Sequence, residues 1–551
     1  MEPEWESRCG WSQRPKPARE KGWIRLTQVA AQIQQDERRL PIWAALRKLI
    51  SHHRSFSHAE WALRSEEIAR IEPIYQQFAP VDSVLQRAWL FSHDAPLLQG
   101  RRVEQWEARE KDLVDLRKQA VAELLAQSGF SEVRRLIEKA KVPFFVGVAF
   151  SEASATPSEA TQVLKTLMED DAVPILEFVR GLVVAGNFHY GVTWAESLLS
   201  MAKAEHWSEG AVVRLLLALP SDRKIWNSAA SFGEDVNRAY WGRAEFFSRA
   251  ESTEDKLYVI EQMIAVGRAA HVVERIAGSS DGIPSSKIVD VLMEAASTRW
   301  PHSGNDAVMF QWAVGELLKK IEADGTVEDA VIARLEWMYL ALLEHSERTP
   351  IVLHRFMATD PSFFVQVLSA VFRPHSESEP KEYMATEQEK AMATQAFRLL
   401  QSWNTVPGGG TAGLDPPALT AWVEDAHRFA VQAERGAVGD QYIGRILSFA
   451  NEGTDGIWPD IAVRNVIEDM RNVHVENGLV VGVHNQQGVT TRGMFDGGTL
   501  ERELVKKYNA CSNATKLEWP RTSSLLRQIA RSFENSARYL DEQAERTDWE
   551  Y

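Results

Sequence analysis

Apolar residues recur along this chain at intervals of three and four, which places them on one face of a helix. In "TPSEATQVLKTLMEDD" (156–171) Val163, Leu164, Leu167 and Met168 share such a face. Thr156 stands at an N-cap position, Pro157 at the first helical position and Glu159 three after the cap, which together predict a capped helix start. "TDPSFFVQVLSAVFRP" repeats the device with Asp360 and Pro361, followed by Phe364, Val367, Leu368 and Val371 on one side and Pro374 just beyond the end. In "TVEDAVIARLEWMYLALLEH" Thr326 and Asp329 take capping-box positions, and Val331, Leu335, Met338 and Leu342 form the stripe.

The predicted helices come in pairs. The stretch 252–297 reads as helix, Gly267, helix, Gly278, loop, helix, with both glycines where a helix end favours positive φ. Ser252 and Ser285, two similar starts, lie 33 residues apart, near the period of two-helix repeats. Paired short helices over hundreds of residues predict an all-α chain, an α-solenoid of paired antiparallel helices of tetratricopeptide or HEAT type, in which each pair buries its apolar face on its neighbours. Long loops are expected at 373–383, which is polar and charged, and at 406–418 ("VPGGGTAGLDPPA"), which is rich in Gly and Pro. The resulting division is 1–22 an atypical or disordered segment, 23–375 an N-terminal helical array, 376–418 a loop-rich boundary and 419–551 a C-terminal helical subdomain. The tail from Trp519 reads as one long final helix.

Composition narrows the class. The 551 residues exceed one ordinary core. No run of about 18 apolar residues predicts a membrane span, and the N-terminus has no apolar core of the secretory kind. Two cysteines, Cys9 and Cys511, exclude a disulfide framework and fit a reducing cytoplasm. A net charge of −15 argues against broad nucleic-acid binding. Residues 1–50 are the exception, with ten Lys/Arg against six Asp/Glu, and leave nucleic-acid binding there as an alternative. Among the 19 tryptophans, Trp194, Trp226, Trp241, Trp312 and Trp337 are expected to anchor helix packing.

Candidate chemistry is sparse. Neither a phosphate-binding loop of the NTPase kind nor an H-E-x-x-H zinc motif occurs. "GSSDG" (278–282) fits the nucleophile-elbow pattern around Ser280, but the residues before it read as helix instead of strand, so a plain loop is expected. His52, His53, His58 and Glu60 lack the helical spacing of metal ligands and read as a surface cluster, with Ser57 capping a helix that begins "HAEWAL". His93 and Asp94 are adjacent, and neighbouring side chains diverge. No catalytic, cofactor-binding or metal residues are therefore assigned, although a hydrolase or transferase with an unrecognised site stays open.

One stretch stands apart. In "NGLVVGVHNQQGVTTRGMFDGG" (477–498) Leu479, Val480, Val481 and Val483 suggest a strand interrupted by Gly478 and Gly482. The preferred alternative ends a helix near Gln487 with Gly488 at its C-cap, then passes through an irregular segment to a helix capped by Thr499. Arg492, Gly497, Gly498 and Thr499 form a candidate anion site at that helix start. Asp496, Glu501 and Glu503 beside it would repel an anion, which favours a structural turn.

The segments 217–243, 334–374 and "DGIWPDIAVRNVIEDM…GVHNQQGVTTRGMFDGGTLERELVKKY" together resemble the C-terminal helical region of very large bacterial multidomain proteins of the STAND NTPase type, some of them similar to anti-phage defence proteins. The resemblance spans most of residues 40–545 and implies a helical scaffold or sensor that docks a protein partner. It does not carry ATP hydrolysis, because the NTPase module is missing. It also implies that "MEPEWESRCGWSQRPKPAREKGW" is the artificial beginning of a fragment. No membrane partner and no cofactor are expected, and whether a small molecule binds is open.

Overall fold

The computed structural model describes residues 24–25, 27–29, 31–33, 35–59, 61–92, 106–245, 252–298, 304–343, 348–377, 386–410, 413–488 and 497–550. These residues are almost entirely α-helical. Besides two short 3-10 turns, Ala88–Phe91 and His375–Glu377, there is a two-residue antiparallel ribbon, Gly409–Gly410 against Gly413–Leu414, within the Gly/Pro-rich stretch expected to be a loop. No helix among them is long and apolar enough to cross a membrane. Helix packing divides the chain into two units, Met1–Lys256 and Leu257–Tyr551, each with its own buried core.

Packing in both units runs mainly between helices close in sequence. The first unit begins with Asp36–Ser55 against Ser65–Gln77, where Ile50, Ile71 and Phe78 are buried and Trp43 stacks on Tyr75 at 5.5 Å. Further on, Val173–Tyr190 is a hub that packs on Pro143–Ala153, Pro157–Leu167, Val192–Ala204 and Glu209–Ala218. In the second unit each helix touches the next or next but one: Ala269–Ala277 on Gly304–Asp324, Pro361–Val371 on Glu387–Ser402, and Gly436–Leu447 on Val473–Asn485. The chain closes with Thr499–Thr515 packed along Pro520–Glu550, the long final helix expected from the tail.

Asp360 accepts from the amides of Ser362 and Phe363 at 2.8 and 3.2 Å, as an N-cap should. Thr156 Oγ1 accepts from Glu159 N, but the Glu159 carboxylate returns to Ala155 N, one residue before the cap. Three expectations need correction. The helix expected from Thr326 begins instead at Asp329, because the Thr326 hydroxyl donates to Asp324, and it breaks at Tyr339 before Leu340–Leu343. No helix starts at "HAEWAL": Asp36–Ser55 runs through both histidines, a turn follows, and the next helix begins at Ser65. Gly267 has φ +76° at its helix end, whereas Gly278 stays right-handed at φ −85° and Gly282 takes the positive φ.

The tryptophans also divide. Trp194, Trp226 and Trp241 are buried anchors, Trp337 is half-buried, and Trp312 is 46% exposed, so it is not a buried anchor. Trp403 and Trp422 meet Phe364 in an aromatic cluster with all three centroid separations between 5.4 and 5.8 Å. One polar device reaches into the second core. The buried Glu336 carboxylate pairs with Arg348 at 2.8 Å and accepts from Val352 N and Leu353 N, so it caps the Ile351–Thr359 helix from a distance. Burial raises the Glu336 pKa, and Arg348 opposes that shift.

Candidate functional site

A cavity of about 930 Å³ forms a groove in the first unit between Trp106–Ser128, Pro143–Ala153 and Val173–Tyr190. Its geometry follows from two glycines. A Cβ on Gly147 would lie 2.1 Å from the Phe178 carbonyl oxygen, and one on Gly181 would lie 2.0 Å from that of Phe144. No larger residue fits at either position, so the two helices touch backbone to backbone. Bringing the axes this close lets the side chains on either side of the contact splay outward. Phe144, Val148, Val184 and Phe188 then line the groove. Phe188 is 93% exposed and Val184 41%, and Val114 on the facing helix is also exposed.

Polar groups frame this apolar floor. Arg117 is buried, donates from Nε to Leu90 O at 2.7 Å, and lies 4.0 Å over the Phe145 ring. Burial lowers its pKa to about 10, still fully charged near neutrality. Glu152 is pushed above the usual carboxylate range by burial, against the pull of Lys118 and His189 and with help from Asp115. Arg109, Glu110 and His189 complete the lining. Among the described residues that line the groove there is no Ser, Thr, Cys or Lys. The groove is suited to burying an apolar surface between charged margins.

The second unit uses the same device. Cβ atoms on Gly444, Gly478 and Gly482 would lie 1.9 Å from Val475 O, 2.0 Å from Gln441 O and 2.2 Å from Ser448 Oγ. Gly478 and Gly482 therefore do not interrupt a strand. They lie inside Val473–Asn485 and let it press on Gly436–Leu447, beside a smaller cavity of about 320 Å³ that Tyr442, Arg445 and Val481 help to line. The helix ends at Asn485, and Gly488 takes φ +59°.

Of the candidate anion residues, Arg492 lies outside the described residues. Thr499 begins its helix, with Gly498 in the cap position Thr499 was expected to take and Gly497 just before it at φ +51°. Gly498 N donates to Asp541 Oδ1 at 2.9 Å, and Arg502 also pairs with Asp541. The chain's own carboxylate thus occupies the helix start. Both bonds hold the Asp541 carboxyl below its ordinary range. The glycines are explained by the crowding there, since a Cβ on Gly498 would lie 2.4 Å from the Ala537 backbone.

The histidine cluster requires a correction. His52 and His53 are buried: His53 Nδ1 accepts from Leu63 N at 3.1 Å, and His52 stacks on Trp61 at 4.8 Å. They pack the core where a surface cluster was expected, because the helix continues through them. His58 is exposed, and Glu60, His93 and Asp94 lie outside the described residues. Among the described residues no three metal-capable side chains converge. Ser280 sits in a loop after Ala269–Ala277, with no strand before it.

The groove residues were missed in the sequence because each reads as ordinary helix core. The one available signal was the Val184–Phe188 pair on a helix already supplied with a buried face by Phe178, Val179, Leu182 and Val183. Neither the protein-family models nor the curated proteins compared with this chain give a match.

Proposed function

We propose that this chain is a docking module, an α-solenoid of paired helices with no chemistry of its own, whose first unit receives an amphipathic helix of a partner protein. The carrying observation is the 930 Å³ groove with Phe188 standing 93% exposed at its edge. Such a groove favours the helix-in-groove mode of recognition, in which apolar anchors at i, i+3, i+4 and i+7 enter an apolar trough. Glu110 and Glu152 offset Arg109 and Arg117 around it, so the margin is close to neutral and selects a partner by its apolar face instead of by net charge. Helix packing between sequence neighbours supports the solenoid reading. A sensor or scaffold role in a bacterial, cytoplasmic, defence-type assembly belongs to the same proposal through the resemblance noted above.

The test is affinity capture of the full chain followed by mass spectrometry, with Phe188→Asp as the comparison. Phe188 makes little contact with its own unit, so the substitution leaves melting unchanged. A partner retained by the native chain and lost by at least tenfold with Phe188→Asp supports the groove. A partner that binds both equally, or no partner together with a positive small-molecule turnover screen, overturns the proposal.

A further inference from the structure

We propose that a second cavity of the first unit binds an organic phosphate through Arg180, Arg214 and Arg243. The cavity, about 480 Å³, lies between Val173–Tyr190 and Glu209–Ala218 and is within the range of small-molecule sites. Three arginines from separate parts of the unit converge on it, and Asp171 is the one carboxylate in its described lining. That leaves a local excess of two positive charges in a chain whose net charge is −15.

The three side chains are not equivalent. Arg214 is held in place: Nη1 donates to Asp171 Oδ1 at 2.6 Å and Nη2 to the Met168 carbonyl oxygen, while its buried Nε has no hydrogen-bond partner among the described residues. Arg180 is exposed, and its guanidinium lies 5.2 Å over the Phe144 ring without a hydrogen bond or ion pair among the described residues. Arg243 is likewise exposed, and its guanidinium has no partner among the described residues. Its backbone is fixed, since Arg243 N donates to Tyr240 O at 3.0 Å next to the buried Tyr240 and Trp241. Two guanidinium forks with no hydrogen-bond partner among the described residues, beside a third, immobilised one, form the donor set that phosphate oxygens accept from most strongly.

One further feature defines the ligand class. Leu176, Val179, Leu217 and Ala218 give the cavity an apolar wall, which bare phosphate cannot use and a carbon-bearing ester can. Gly210 stands beside Arg214 in the first turn of Glu209–Ala218, a turn that Ser208 Oγ caps by accepting from Ala211 N at 3.2 Å. The nearby Glu169 carboxylate accepts from Ser208 N at 3.0 Å and from Ser208 Oγ at 2.5 Å, and it acts on Arg214 through charge, as a secondary influence after those hydrogen bonds.

Isothermal titration of the full chain with inorganic phosphate, glucose 6-phosphate and adenosine monophosphate tests the assignment, alongside the double variant Arg180→Gln/Arg243→Gln. Both arginines are exposed, so the variant keeps the native melting temperature. At least one ester should saturate at micromolar to submillimolar concentration, bind at least tenfold tighter than inorganic phosphate, and weaken at least tenfold in the double variant. It should also bind Phe188→Asp as it binds the native chain, which separates this site from the groove. Equal affinity for the double variant, no saturable binding of any probe, or inorganic phosphate matching the esters would each overturn the proposal.

Discussion

At the scale of single residues, burial determines which groups respond to pH. His354 is fully buried in Ile351–Thr359, with Nε2 3.2 Å from Ser402 Oγ. Burial lowers its pKa from 6.5 to about 4, against a smaller opposing effect of a hydrogen bond with Asn404. The folded state therefore prefers the neutral ring. Its contribution is complete above pH 6.5, declines as pH falls, and is lost below about pH 4, a difference of roughly 3 kcal/mol. Urea midpoints for the native chain and His354→Gln at pH 7 and pH 4 check this. Other groups titrate over the same range in both proteins, so the informative quantity is the difference in their losses. The native chain should lose about 2–3 kcal/mol more than the variant, and equal losses would remove His354 as the cause. The burial behind this effect was not readable in the sequence for any of the buried histidines. A histidine on a helical stripe looks the same whether its face meets core or water, and His52 and His53 were misplaced for that reason.

At the scale of elements, the helices were legible where the physics is local and illegible where the partner is distant. Asp360 with Pro361 and Thr156 with Pro157 mark their helices because a cap and its amides lie within three residues. Gly478 and Gly482 misled for the opposite reason: their role depends on Gln441 and Ser448, more than 30 residues away. A glycine inside a helix normally weakens it, so its presence there is explained only once the neighbouring backbone is known. Gly147→Ala should cost at least about 2 kcal/mol, since the added methyl must displace backbone atoms of Val173–Tyr190 and cores resist overpacking. Gly315→Ala is the contrasting case, with open space around its Cβ in the middle of Gly304–Asp324, and should raise stability by about 0.5–1 kcal/mol. Thermal melts of the two variants decide the point, and a harmless Gly147→Ala would mean that the helices do not touch as described.

At the scale of the whole molecule, the all-α class followed from periodicity alone, whereas neither candidate site could. The groove draws on three helices spread over 106–190, and the arginine cavity on positions 180, 214 and 243, so each exists only once the first unit has folded. The glycine contacts have a kinetic counterpart. Where two helices meet without intervening side chains, neither can fray far without exposing the other's backbone, so each such pair should open as one cooperative block. In hydrogen–deuterium exchange Pro143–Ala153 and Val173–Tyr190 should gain label together, as should Gly436–Leu447 and Val473–Asn485. A tenfold difference in exchange rate between the members of a pair would show that they open separately. With matched rates, the smallest independently opening piece of either pair is the two packed helices together, although another helix separates them in sequence, and the glycines mark where that piece is joined.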